Sequence, residues 1–194
     1  ALWTAAMLEE CGIDTAPPMT RVVVAVDPPA GASGRSDACG IVVAGVIAEG
    51  PPQDWRAVVL EDATVQGVGP DAWARAALDA AKRWGAERLV AEINQGGALV
   101  ESVIRQIDPL VPYRGVHATR GKTARAEPVA ALYEQGRVRH LRGLGRLEDQ
   151  MCLMTRAGYD GSGSPDRVDA LVWALTELMI GPAATWTRPQ VRAI

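Results

Sequence analysis

Val22-Val23-Val24-Ala25-Val26-Asp27-Pro28-Pro29 is the stretch on which the reading of this chain turns. Five consecutive apolar residues, four of them β-branched, do not alternate with polar ones, so both faces of the strand they form must be covered. Such a strand lies in the middle of a sheet with helices on either side. Asp27 ends the run and Pro28-Pro29 stops the strand. A carboxylate at the end of a central strand stands at the rim of the sheet, where α/β proteins build their sites. Taken alone, an aspartate before proline also reads as a turn initiator.

Two further strand candidates follow, Gly40 to Ala48 and Trp55 to Leu60, the latter extending toward Val65. They are separated by breakers, and connections this short suit antiparallel neighbours. The period then changes. Residues 71–84 carry Trp73, Ala77, Ala80, Ala81 and Trp84 at helical spacing, with Gly85 as a stop. A strand at Arg88 to Ile93 is followed by a helix at 97–107, with Leu99, Val100, Val103, Ile104 and Ile107 on one face. Leu110 to Val116 reads as a strand, 122–135 as a helix ended by Gly136, the surroundings of Val138 as a short strand and 145–156 as a helix. A Gly/Ser-rich loop leads into a last helix from Asp166 to Ile180, closed by Gly181-Pro182. Three antiparallel strands followed by βα units predict an α/β fold, a mixed central sheet flanked by helices. Residues 1–20 read as a short helix or linker, 21–181 as one domain, and 182–194 as a tail.

Asp27 has counterparts. Leu89-Val90-Ala91-Glu92 ends a second apolar strand in an acid. In Asp166-Arg167-Val168-Asp169-Ala170-Leu171-Val172, the two aspartates lie about 60° apart on a helix. Asp169 borders the apolar stripe and reads as the more buried acid, with Asp166 auxiliary. Ser164 as N-cap and Pro165 at the first position signal the helix start. Carboxylates are the donors that hard divalent cations take. Several of them at one sheet edge would repel one another unless cations lay between them.

The 194 residues are 48% hydrophobic and 22% charged, an ordinary globular composition that excludes disordered and collagen-like classes. No apolar run approaches the ~20 residues of a membrane span, and the start lacks the pattern of a secretory signal. Cys11, Cys39 and Cys152 form no CxxC, which fits a reducing, cytoplasmic compartment. The net charge of −3 conceals an asymmetry. From Arg114 to Arg146 eight basic residues face two acidic ones, a net +6 that leaves −9 on the remainder. Arg120, Lys122, Arg125, Arg137 and Arg139 are the candidate contacts to nucleic-acid phosphates. Gly115 to Thr123 lacks the spacing of a phosphate loop, His117 and His140 are too isolated for zinc, and Ser33, Ser36 and Ser162 have no His/Asp partners. Asp37 and Asp62 read as hairpin residues, with approach to the acidic cluster as a second reading for Asp37.

Four segments in order resemble one known family. They are Val22 to Pro29 with Ser36-Asp37-Ala38-Cys39-Gly40-Ile41, then Val90-Ala91-Glu92-Ile93-Asn94, then Lys122-Thr123-Ala124-Arg125-Ala126-Glu127-Pro128-Val129, and Asp166 to Ala174. The chain resembles the C-terminal nuclease domain of the large terminase subunit of tailed bacteriophages and gene transfer agents, an RNase H-like fold. The resemblance implies metal-binding acids at Asp27, Glu92 and Asp169, with Asp166 at a position of varying residue type, and two Mg²⁺ or Mn²⁺ ions. It implies a metal-dependent endonuclease acting on double-stranded DNA concatemers in the bacterial host cytoplasm. In a full-length protein it implies a packaging ATPase ahead of residue 20, portal protein and small terminase subunit as partners, and no membrane. The domain alone is expected to be monomeric. The alternatives are a junction resolvase or transposase-type nuclease of the same fold, and a catalytically inert DNA- or portal-binding module.

Overall fold

The structure is a computed structural model describing residues 1–29, 38–93 and 97–186. In chain order it contains α1 (Ala5–Glu10), β1 (Gly12–Ile13), β2 (Arg21–Asp27), β3 (Ala38–Ile47), β4 (Arg56–Asp62), β5 (Val65–Gln66), α2 (Pro70–Trp84), β6 (Arg88–Glu92), α3 (Gly97–Ile107) and β7 (Tyr113–Val116). There follow α4 (Lys122–Glu134), β8 (Val138–Leu141), α5 (Gly145–Cys152), β9 (Met154–Thr155), β10 (Gly158–Tyr159), α6 (Asp166–Leu175) and α7 (Gly181–Thr185). The expected positions Ser33, Ser36, Asp37, Asn94 and the tail beyond residue 186 lie outside the described residues.

The valine run forms β2, and Val23 to Val26 are fully buried. The main sheet has the order β1-β8-β4-β3-β2-β6-β7, with β5 added on β3. β2, β3 and β4 are antiparallel in succession, whereas β6 runs parallel to β2 and β7 parallel to β6. This is the mixed sheet the connection lengths predict. Alternation along β2 divides the core in two. Val23 and Ala25 pack with Val168, Leu171, Leu175 and Leu178 on one face. Val24 and Val26 pack with Trp73, Ala74, Ala77 and Ile104 on the other. Each fully buried valine contributes about 1.5–3 kcal/mol, which makes the central strand costly to displace.

α2 begins at Gly69-Pro70 and ends at Gly85, whose φ of 60° provides the left-handed cap that a side chain would resist. Its alanines let the helix lie close on the sheet. In α3 the expected face is buried at Val100 and Ile104, but Leu99 is 57% exposed, one position off that face. The expected strand from Leu110 starts at Tyr113. The expected helix over 145–156 stops at Cys152 and gives way to the β9–β10 hairpin.

The first twenty residues take part in the packing. Trp3 is fully buried and meets Tyr133 edge to face at 5.9 Å, and β1 pairs parallel with β8. The last helix also departs from expectation. Gly181 adopts helical angles (φ −57°, ψ −51°) after a wider, π-type stretch at Thr176–Ile180, and the chain continues into α7. Pro182 is tolerated because the first turn of a helical segment does not need its missing N–H. Asp166–Thr185 is thereby long and apolar enough to cross a membrane by length and composition, although residues 168–175 are all buried against the rest of the fold.

Candidate metal centre

The strand register brings the acids together. Val26 pairs with Ala91 in the parallel β2–β6 ladder, so Asp27 and Glu92 leave the sheet side by side. Alternation turns both toward the α6 face, because Leu89 and Ala91 belong to the opposite core. In the antiparallel β2–β3 ladder the partner of Asp27 is Gly40. A Cβ at Gly40 would overlap the Asp166 carbonyl oxygen and come within 3.2 Å of Ala170 Cβ. The missing side chain therefore lets α6 start directly over the end of β2. Asp27, Asp166 and Asp169 each offer a carboxylate oxygen, and these oxygens lie within 4.8 Å of one another.

The start of α6 is tied down without the expected cap. Pro165 occupies the N-cap position and makes no side-chain capping bond. The Ser164 hydroxyl instead accepts a hydrogen bond from Lys122 Nζ at 2.9 Å. Arg167 Nε donates to Asp62 Oδ2 at 2.7 Å, and Asp62 Oδ1 accepts from the Thr64 N–H at 3.1 Å. Asp62 thus serves the turn after β4, as expected, and also clamps the first turn of α6 to that strand.

Burial, followed by the charges of Asp169, Glu92 and Asp166, holds the Asp27 carboxyl well above the usual carboxylate range, with Lys122 opposing. Burial also raises Asp169, against the hydrogen bond and charge of Lys122 and the charge of Arg125. Lys122 donates to Asp169 Oδ2. Burial works against the Lys122 ammonium, but Asp169, Asp27 and Asp166 outweigh it and raise its pKa. The donor set is all oxygen and carries more negative charge than Lys122 offsets. Those are the properties a hard divalent cation requires, so the residues fit such an ion.

Glu92 stands beside this trio. Its Oε2 accepts from Trp173 Nε1 at 2.7 Å and lies 3.4 Å from an Arg125 guanidinium nitrogen. Arg125 in turn sits over the Trp173 ring, 4.7 Å from its centroid. Asp169 is 3% exposed and Asp166 intermediate, the order expected from their helical positions.

The basic candidates separate in space. Arg120 is exposed, and Arg139 is exposed on β8 with one bond to the Glu10 carbonyl at 3.4 Å. Lys122 and Arg125 face the acids. Arg137 donates to the Trp55 and Pro52 carbonyls at 2.9 and 2.7 Å and braces the turn before β4. The guanidinium groups of Arg125 and Arg137, like the Lys122 ammonium, have partners inside the fold. The +6 stretch is not one face, because β7 and β8, which carry part of it, lie toward opposite ends of the main sheet. His140 is fully buried between Tyr133 Oη at 2.8 Å and Glu148 Oε1 at 2.9 Å, a structural histidine. The roles of Gly40, Trp173 and Arg167 escape sequence reasoning, since each depends on a partner distant in the chain.

The family model for the terminase RNaseH-like domain matches residues 24–178. The chain belongs to the terminase RNaseH-like domain family. Among solved structures, it is similar to the large terminase of a thermophilic bacteriophage with a TM-score of 0.62 at 11% identity, covering 91% of this chain and 43% of that one. The chain thus spans less than half of that terminase. It is similar to the large terminase nuclease from thermophilic phage G20c with bound magnesium, with a TM-score of 0.60 at 15% identity over 85% of each chain. It is also similar to the nuclease domain of the large terminase subunit gp2 of bacterial virus Sf6 with manganese, with a TM-score of 0.58 at 14% identity over 81% of this chain and 88% of that one. These likenesses establish an RNase H-like fold for this terminase domain. Comparison with curated proteins finds no match.

Proposed function

We propose that this terminase domain is a metal-dependent endonuclease that cuts double-stranded DNA concatemers during packaging of a viral or gene-transfer-agent genome. The observation that carries the reading is the convergence of Asp27, Asp166 and Asp169 within 4.8 Å at the end of the central strand. Asp27, Asp169 and Asp166 would hold the cations, Mg²⁺ or Mn²⁺, and Glu92 would complete the site from β6. When bound, two such ions would supply a Lewis acid for the phosphodiester and activate water for attack on phosphorus. The protein's own part is to keep four carboxylates aligned on two strand ends and one helix start. Lys122 supplies countercharge to Asp169 when cations are absent. Exposed Arg120 and Arg139 would meet phosphates, contacts that carry no base information, so cutting is expected to be largely independent of sequence. In a full-length subunit the domain would act beside a packaging ATPase in the host cytoplasm, with portal protein and the small terminase subunit as partners.

A plasmid-nicking assay tests this. Wild type should nick with Mg²⁺ or Mn²⁺ and stop with EDTA, and Asp169→Ala should lose activity by about 100-fold or more, beyond the loss typical of an outer-shell substitution. Cutting that survives EDTA, or Asp169→Ala cutting at the wild-type rate, would sink the proposal.

A further inference from the structure

We infer that Trp173 is a positioning residue for Glu92, acting with Arg125 to hold this carboxylate at the side of the aspartate cluster where a second cation would be completed. The inference rests on the reading of the cluster as a cation site.

Glu92 is the last residue of β6 and carries a longer, freer side chain than the three aspartates. Beside carboxylates of like charge, an untethered glutamate would swing toward solvent. Among the described residues Trp173 and Arg125 act against this, and both contact the same oxygen. Trp173 Nε1 donates to Oε2 at 2.7 Å, and an Arg125 nitrogen lies 3.4 Å from it. The three groups come from α6, β6 and α4, so the carboxylate is fixed by the packing of three elements. Glu92 is 9% exposed and Trp173 8%, and in such a desolvated setting a bond to a charged acceptor is strong.

The choice of donor matters chemically. An indole N–H only donates and carries no charge, so it orients the carboxylate and leaves its negative charge for a cation. Arg125 carries charge, but its guanidinium carbon sits over the indole ring, 4.7 Å from the centroid, and its nitrogen makes the longer contact to Glu92. A tryptophan used only for packing need not aim its N–H. Trp3, fully buried on the same side of the sheet, leaves its Nε1 without a partner among the described residues. Trp173 sits on a helix whose buried positions are otherwise apolar except Asp169, and it directs its N–H at the one acid that β6 contributes.

Trp173→Phe keeps a ring for packing and for Arg125 and removes only the donor. Calorimetric titration with Mn²⁺ should show the tighter binding step retained and the weaker step reduced about ten-fold in affinity, the loss typical of an orienting partner. The Mn²⁺ concentration for half-maximal plasmid nicking should rise by a similar factor. A double-mutant cycle separates positioning from general packing. In a Glu92→Gln background, Trp173→Phe should change Mn²⁺ affinity no further. Arg125→Gln, which leaves Trp173 in place, should weaken the same step and provides the test if Trp173→Phe fails to fold. A wild-type isotherm for both single variants, or an undiminished Trp173→Phe effect without Glu92, overturns the inference. Failure of the wild type to bind Mn²⁺ at all removes the cation reading itself, and this inference with it.

Discussion

Replacing Asp27 by asparagine should stabilise the metal-free protein while abolishing its response to metal. The substitution preserves shape and removes one charge from three carboxylates whose oxygens lie within 4.8 Å of one another. At that separation two unit charges repel by about 3.5 kcal/mol at an effective dielectric of ~20. Lys122 offsets part of this, so the expected net gain is about 1–3 kcal/mol at pH 8, or roughly 2–12 °C in Tm for a chain of this size. The dependence on pH has a definite sign. The folded-state pKa of Asp27 is raised by burial and by its acidic neighbours. Below the unfolded carboxylate value, wild type and variant should therefore melt alike. As pH climbs from that value through the raised one, wild type loses stability that the variant keeps. With Mn²⁺ at about 1,000 times its Kd the order reverses, because wild type alone gains about 4.1 kcal/mol. Melting curves from about pH 3 to 8.5, in EDTA and in Mn²⁺, measure both effects. An asparagine variant less stable than wild type in EDTA at pH 8, or a gap that does not change with pH, would refute the reasoning.

Two other substitutions test how the site is assembled. Gly40→Ala forces a Cβ into the Asp166 carbonyl, which should cost about 1–3 kcal/mol by overpacking and weaken Mn²⁺ binding, read by thermal melts and calorimetry. Arg167→Ala leaves the Asp62 carboxylate, 9% exposed in its side chain, without its arginine. It should cost about 3 kcal/mol and loosen the first turn of α6, visible as faster amide exchange at residues 168–170.

The parts legible in the sequence are those governed by local period. A five-residue apolar run specifies a strand buried on both sides, and from it follow the centre of the sheet and the rim position of Asp27. Helical spacing ranks Asp169 inside Asp166 for the same reason. The bonds that arrange the site are long-range and leave no periodic trace. Nothing near Gly40 in the sequence reveals that α6 will rest on it, and nothing near Trp173 names Glu92, 81 positions away. Charge counting fails in the same way. Arg125 and Arg137 raise the local charge, but their partners Glu92 and the Pro52 and Trp55 carbonyls come from other segments. At Gly181-Pro182 the local stop signal is itself outweighed: Gly181 keeps helical angles and the chain continues into α7.

The aspartates at the end of β2 and the start of α6 are proposed to hold a divalent cation. Crystals soaked in Mn²⁺ and measured for anomalous scattering address this directly. An anomalous peak bounded by Asp27, Asp166 and Asp169 is expected, with Lys122 displaced from Asp169. Peaks confined to other surfaces, or an ordered cluster with no peak at saturating Mn²⁺ and Lys122 still on Asp169, would contradict it.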